Sequence, residues 1–395
     1  MVAPIFRKGL DLKHAVAGEL KRDYHSQSLD RLRESDFTWR AGRLTLHLAR
    51  EFGFCYGVDR AVDYAYQTRR KFPDRTVFLT GEIIHNPHVN TRLRSAGVRF
   101  LNDPGEEIAQ VTAGDVVILP AFGVTVSDLE RLVASGCTLV DTTCGSVLNV
   151  WKNVRKYARD GYTAIIHGKA KHEETQATAS QVTVTSGGRY VVVLDCDETR
   201  VLCDFIRGRL DAATFLDRLG HGCSPGFDPT RDLVRVGLAN QTTMLMAESL
   251  AVGDMVRRAM IDRYGEAALP EHYRAFDTIC SATQDRQDAI VNLLDERRFD
   301  AAIVIGGYNS SNTRNLVRIC AERVTTYHIA DSSCLEAGVV RHLPPGAPPG
   351  GETATRGWLP AGPLAVALTA GASTPDNVVG EVIERLGELA GAVHP

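Results

Sequence analysis

The feature that most constrains this chain is a turn. The apolar run Cys137-Thr138-Leu139-Val140 ends in Asp141-Thr142-Thr143-Cys144-Gly145, and Val147, Val150, Trp151 and Val154 then follow at helical spacing. The order is strand, polar turn with a cysteine, helix. It occurs twice more. Leu46 to Phe54 leads to Cys55, and a helix opens at Gly57-Val58-Asp59-Arg60. Phe276-Asp277-Thr278-Ile279 leads to Cys280, and a helix opens at Thr283-Gln284-Asp285-Arg286. Open α/β sheets carry their ligands at the carboxyl ends of buried strands. Three such turns predict three similar units, each aiming one thiol at a common centre.

The rest of the chain keeps the alternation. Strands are expected at 44–50, 76–79, 115–120, 162–166, 190–194, 233–238, 301–305 and 364–368. Helices are expected at 57–71, 146–159, 244–263, 284–297 and 376–390, the last with Thr374 as N-cap and Pro375 at its first position. Strands each followed by a helix imply parallel sheets, and continuous apolar runs imply strands covered on both faces. The expected organisation is a polar N-terminal extension at 1–43 and a first α/β unit at 44–144. A second unit at 145–277 carries an insert at 197–230. A third at 278–395 carries an exposed Pro/Gly-rich loop at 343–363.

Which chemistry the thiols serve depends on their setting. There are nine cysteines, scattered and without a CxxC pair. The N-terminus has acidic residues and no apolar core, and no apolar run is long enough to span a bilayer. A cytoplasmic protein without a disulfide framework is expected. The balance of 45 basic against 48 acidic residues implies neither a nucleic-acid groove nor a membrane surface. Cys137, Cys196, Cys203, Cys223, Cys320 and Cys334 read as small core hydrophobes. The long separations of Cys55, Cys144 and Cys280 exclude the local spacings of zinc ribbons and ferredoxins. One cysteine per unit suits a shared soft metal, iron–sulfur or zinc, although spacing alone reads these three more readily as further buried structural cysteines. Three thiolates on a four-iron cluster would leave one iron open.

A second set is polar. His85, His172, Thr242, Ser310, Ser311, Asn312 and Ser373 fall at strand ends, most of them just before a helix. Helix N-termini offer unpaired N–H groups to phosphate, so the set suits a diphosphate held largely without Lys or Arg. Any one Ser or Thr among them reads first as a cap; the whole set together is what points to an anion. Glu174, two residues after His172, is a carboxyl that near an iron site could donate protons, though on its own such a Glu reads as a capping or solvated residue.

Together these residues resemble the 4-hydroxy-3-methylbut-2-enyl diphosphate reductase family, from about residue 44 to 390. The signatures are Gly53-Phe54-Cys55-Tyr56-Gly57-Val58, Ile84-His85-Asn86, Asp141-Thr142-Thr143-Cys144, His172-Glu173-Glu174, Asn240-Gln241-Thr242-Thr243, Ile279-Cys280-Ser281-Ala282-Thr283, Asn309-Ser310-Ser311-Asn312 and Thr369-Ala370-Gly371-Ala372-Ser373. The stretch from Trp151 to Thr178 and Gly226-Phe227-Asp228-Pro229 resemble the plant and cyanobacterial branch.

The resemblance implies three α/β units with small, mostly parallel sheets in a trefoil around one 4Fe-4S cluster. Cys55, Cys144 and Cys280 would ligate it. The seven polar residues would bind substrate, and Glu174 would be the proton donor, with Thr242 as its relay. The implied reaction is the last step of the methylerythritol phosphate route. It removes the allylic hydroxyl with two electrons and two protons, giving isopentenyl and dimethylallyl diphosphate. The implied electron donor is ferredoxin or flavodoxin. Two positions depart from the common bacterial pattern: Phe122 stands where many members have His, and Gly145 where Pro is usual.

Two rivals share the cysteine pattern. An iron–sulfur dehydratase of hydroxyacyl thioesters would need a groove for a long cofactor. A non-catalytic iron–sulfur sensor or electron carrier would have no use for Glu174 among phosphate-binding groups.

Overall fold

A computed structural model of the chain describes residues 4–276 and 279–391. It is an α/β protein with several small, mostly parallel sheets. The chain groups into two compact units. The first is residues 1–5 with 101–280, and the second is residues 6–100 with 281–395. These boundaries are not the sequential ones at 144 and 277. Cys280 closes the first unit, and the N-terminal segment belongs to the second from Phe6 onward.

In the first unit, Val116–Leu119 and Thr138–Asp141 form a parallel pair. A four-stranded parallel sheet follows the spatial order Tyr273–Ala275, Val236–Asn240, Thr163–His167, Tyr190–Val193. Its central strands are buried along their whole length, as continuous apolar runs require. One face packs on Leu202, Phe205, Phe215 and Val256, so the 197–230 insert supplies core. The insert is helical at Cys196–Ile206, Ala212–Leu219 and Pro229–Asp232. The other face packs on Val150, Val154 and Tyr157 of helix Gly145–Arg159 and on Val182 of helix Glu173–Thr183.

In the second unit a five-stranded sheet runs Thr326–Ile329, Ala301–Ile305, Leu364–Ala370, Leu44–Leu48, Thr38–Ala41. The first four strands are parallel and the last is an antiparallel edge. Val77–Leu79 pairs with Val98–Phe100 in parallel. The N-terminal segment is ordered: helices Lys13–Tyr24 and Gln27–Glu34 precede the edge strand, and Leu29 and Leu32 enter the main core.

Two expectations are corrected. The 343–363 stretch is not all exposed loop. Thr353–Arg356 is a strand paired antiparallel with Val339–His342, and Trp358 is buried. Thr374 does not cap the last helix. Its hydroxyl donates to the Ile305 carbonyl, and helix Asp376–Leu389 starts after Pro375 without a side-chain cap. No helix among the described residues is long and apolar enough to cross a membrane.

Candidate functional site

Each of the three turn cysteines immediately precedes a helix. Cys55 is extended (φ −87°, ψ 164°) before helix Tyr56–Lys71, and its thiol does not cap it. The turn into it needs Gly53, which sits at φ +68°. The Gly53 and Cys55 N–H groups donate to the carbonyls of Ala370 and Ala372, each at 3.2 Å, so the loop stays tied to the neighbouring strand end. Cys144 is likewise extended (φ −64°, ψ 145°) before helix Gly145–Arg159, again without capping it. Its N–H donates to the Ala121 carbonyl at 2.8 Å. Asp141 Oδ1 accepts from the Thr143 N–H and hydroxyl, and the Thr142 hydroxyl donates to the Leu119 carbonyl.

Cys280 precedes helix Ser281–Glu296. The strand expected at 276–279 is found earlier, at Tyr273–Ala275, and Asp277 and Thr278 lie outside the described residues. The Ser146 hydroxyl donates to Cys280 Sγ at 3.4 Å, so the first turn after Cys144 lies beside the Cys280 thiol.

All three turn cysteines are half-buried. The other six cysteines have a different setting. Burial pushes the thiols of Cys203, Cys223 and Cys320 up to about 12 and raises that of Cys196. Cys137 Sγ meets the Leu132 carbonyl, and Cys334 is buried beside the Tyr308 hydroxyl.

The polar set divides between the units. In the first, His172 caps helix Glu173–Thr183, its Nδ1 accepting from the Glu174 N–H at 3.1 Å. The Phe122 ring meets the His172 ring edge-on, with centroids 6.2 Å apart. Phe122 therefore keeps a place beside an imidazole while bringing no polar atom. Glu174 is 2 % exposed, and its Oε1 accepts from the Thr242 N–H at 2.5 Å. This link runs through the Thr242 main chain.

Gln241, one residue before Thr242, ties this corner together. Its Oε1 accepts from the Lys169 N–H at 3.1 Å and the Thr175 hydroxyl at 3.2 Å. Its side-chain amide donates to the Thr243 hydroxyl.

In the second unit, His85 Nδ1 lies 2.8 Å from Glu82 Oε2, which also accepts from Asn309 Nδ2 at 3.0 Å. Ser373 donates to the His85 carbonyl at 3.2 Å. Ser310 caps helix Ser311–Ala321 by accepting from the Thr313 N–H. Asn312 is 2 % exposed. Its Oδ1 accepts from the Ala372 N–H at 2.8 Å, which fixes the amide orientation. Asn312 Nδ2 is then a buried donor with no acceptor among the described residues. Glu82 was missed because a lone Glu three residues before a His carries little signal.

Arg286 was also missed. It is 4 % exposed on helix Ser281–Glu296. Its Nε and Nη2 donate to the Gly53 carbonyl at 3.0 and 2.8 Å, and Nη2 also to that of Phe54 at 3.0 Å. Its Nη1 donates to the Ala282 carbonyl at 2.8 Å. The signal available was an arginine six residues after a turn cysteine, which alone reads as a solvated charge.

Small parallel sheets with cysteines and neutral polar groups at their strand-to-helix turns define a particular class of α/β protein. The chain belongs to the LytB protein family, whose sequence model matches residues 46–387. It is 46 % identical over 384 residues to the 4-hydroxy-3-methylbut-2-enyl diphosphate reductase of Synechococcus sp. (strain CC9311), covering 96 % of this chain and 94 % of that one. The protein of the same name from Gloeobacter violaceus is 47 % identical over 394 residues, covering 98 % and 93 %. A solved (E)-4-hydroxy-3-methyl-but-2-enyl diphosphate reductase, described as the terminal enzyme of the non-mevalonate pathway, superposes with a TM-score of 0.52 at 28 % identity, covering 87 % of this chain and 99 % of that one. The Plasmodium falciparum reductase shares the fold, with a TM-score of 0.64 at 21 % identity over 86 % of each chain.

Proposed function

We propose that this chain reduces 4-hydroxy-3-methylbut-2-enyl diphosphate to isopentenyl and dimethylallyl diphosphate, the last step of the methylerythritol phosphate pathway. The observation that carries the diphosphate is Asn312: a fixed, buried amide donor at a helix N-terminus, with no acceptor among the described residues. An anion satisfies both the donor and the helix dipole. His85, His172, Thr242, Ser310, Ser311 and Ser373 complete the binding set in this reading.

Cys55, Cys144 and Cys280 fit a soft metal centre. They are half-buried thiols at helix N-termini, whereas burial raises four of the other six thiols away from thiolate. They would hold one 4Fe-4S cluster, which supplies electrons one at a time. Ferredoxin or flavodoxin is the donor of those electrons, and the cytoplasm is the compartment.

The side chains do the rest. The binding set fixes the diphosphate and so the allylic end. Glu174 holds the proton that leaves with the hydroxyl oxygen as water; the Thr242 N–H orients its carboxyl, and the Thr242 hydroxyl is the group that would relay the proton to substrate.

The test is an anaerobic assay of the iron-loaded protein with reduced viologen and the hydroxylated diphosphate. Both isopentenyl products are expected. Iron-loaded protein that leaves this substrate untouched but dehydrates a hydroxyacyl thioester would replace the reading. Protein that exchanges electrons with no substrate turnover would make it a carrier or sensor.

A further inference from the structure

A buried cation needs an anion. Arg286 is 4 % exposed, and among the described residues no carboxylate lies within ion-pair distance of it. Carbonyl oxygens satisfy its hydrogen bonds but carry no net charge, and an uncompensated buried charge is strongly unfavourable. The acceptors are also unusual in their place. Two are the carbonyls of Gly53 and Phe54, the residues just before Cys55, and a third contact is to Phe52 at 3.5 Å. The remaining acceptor is Ala282, two residues after Cys280. One planar fork therefore ties the turn that presents Cys55 to the helix that Cys280 leads into. A guanidinium suits this because its donors are fixed in direction, which a lysine ammonium cannot reproduce.

We infer that Arg286 is a positioning residue for the Cys55 turn and the built-in counter-charge of the thiolate-held iron–sulfur centre. This rests on the reading of Cys55, Cys144 and Cys280 as its ligands. Two separable effects follow. The fork holds the ligand turn in place, so it slows loss of iron. The positive charge favours the more negative, one-electron-reduced centre, so it raises the reduction potential.

The test uses Arg286→Lys, which keeps the charge without the fork, and Arg286→Gln, which loses both. Each is loaded with iron and sulfide anaerobically, and circular dichroism checks its fold. Iron release to a chelator is timed, and the potential is measured by titration with dithionite. Both variants are expected to release iron several-fold faster than the parent. The potential should stay near the parent's in the Lys variant and fall in the Gln variant. Unchanged iron release and an unchanged potential in a folded Gln variant would overturn the inference. A parent protein that takes up no iron would instead overturn the ligand reading.

A measurement on the unaltered protein covers the case in which neither variant folds. Hydrogen exchange of residues 52–56 and 281–287 should slow together on iron loading. Protection of one segment without the other would overturn the inference.

Discussion

Burying a carboxyl is unfavourable unless it is hydrogen-bonded, and Glu174 keeps a main-chain donor, the Thr242 N–H. Removing its acidity without removing its shape is therefore a clean test. Glu174→Gln is expected to fold, bind iron and bind substrate, yet turn over ~10²–10⁴-fold more slowly, the usual contribution of general acid help. Steady-state turnover with chemical reductant, beside an iron count, measures it. Near-normal turnover would pass the role to Glu173.

Asn312 allows an equally isosteric test. In Asn312→Asp the acceptor for the Ala372 N–H survives, but the orphan donor becomes an oxygen. Binding of inorganic pyrophosphate, followed by calorimetry, should weaken by about 1–3 kcal/mol. Unchanged affinity would move the diphosphate elsewhere. At this scale the sequence offers candidates wherever a residue type is rare for its surroundings, as with a carboxyl among imidazoles or a cysteine at a strand end. Arg286, Glu82 and Gln241 were not readable, because their roles depend on partners distant in sequence or on burial, and a charged or amide residue on a helix or loop is ordinary.

Elements were legible where burial is two-sided. Strands such as Ala301–Ile305 and Leu364–Ala370 are apolar because helices cover both faces, and they fall close to where the hydrophobic runs put them. The ribbon of Leu335–Glu336, Val339–His342 and Thr353–Arg356 escaped notice. Its last strand is almost wholly exposed and polar, and a Pro/Gly-rich stretch at 343–352 separates it from the strand before. Helices Pro87–Ser95 and Val126–Ser135 were missed although their signals were present. Asn86 caps the first with Pro at N1, and Thr125 caps the second, which stops at Gly136 in the left-handed region.

The N-terminal helix was the least interpretable element, and the structure gives it work. Asp23, with its side chain 6 % exposed, accepts from Tyr66 at 2.8 Å, Arg92 at 2.6 Å and Arg22 at 3.2 Å. Tyr66 lies on the helix that follows Cys55, and Arg92 on the helix that follows His85. One carboxylate thus braces the helices that follow Cys55 and His85. Burial raises the Asp23 pKa, but the bonds from Arg92 and Tyr66 and the Arg92 charge outweigh it, and the net shift is downward. A carboxyl lowered in the folded state stabilises above its unfolded pKa of about 3.9, and that stability is lost as pH falls through the folded value. Asp23→Asn should cost about 2 kcal/mol at neutral pH, since hydrogen bonds to a charged group are lost. Denaturant melts at stepped pH should show the gap between parent and variant closing below about pH 4. A gap that persists unchanged at pH 2.5 would mean that the carboxylate's charge is not what stabilises this corner.

For the whole molecule, the question is why only three of nine thiols should matter. Among the described residues no cysteine is in a disulfide, so every thiol begins as a possible ligand. Depth and charge separate them. Cys203 and Cys320 are buried in cores, and deprotonating them is opposed by burial. A thiol that stays protonated is a poor metal ligand. Cys55, Cys144 and Cys280 lie half-buried, each immediately before a helix of at least 15 residues. A hydroxyl put in place of a thiolate keeps roughly the size of the group but is a hard, weakly acidic ligand, ill matched to iron–sulfur chemistry. Cys55→Ser, Cys144→Ser and Cys280→Ser should each fold as the parent does. Each should lose the broad visible absorption of the anaerobically loaded protein, or lose its iron to chelator within minutes. Cys203→Ser and Cys320→Ser should show the reverse: a lower melting temperature from a buried hydroxyl, with iron and absorption retained. Iron content and absorption, measured beside the melting temperature, separate the two groups. Loss of the centre from Cys320→Ser with retention in Cys144→Ser would mean that depth, not helix position, selects the ligands, and the assignment of all three would fall.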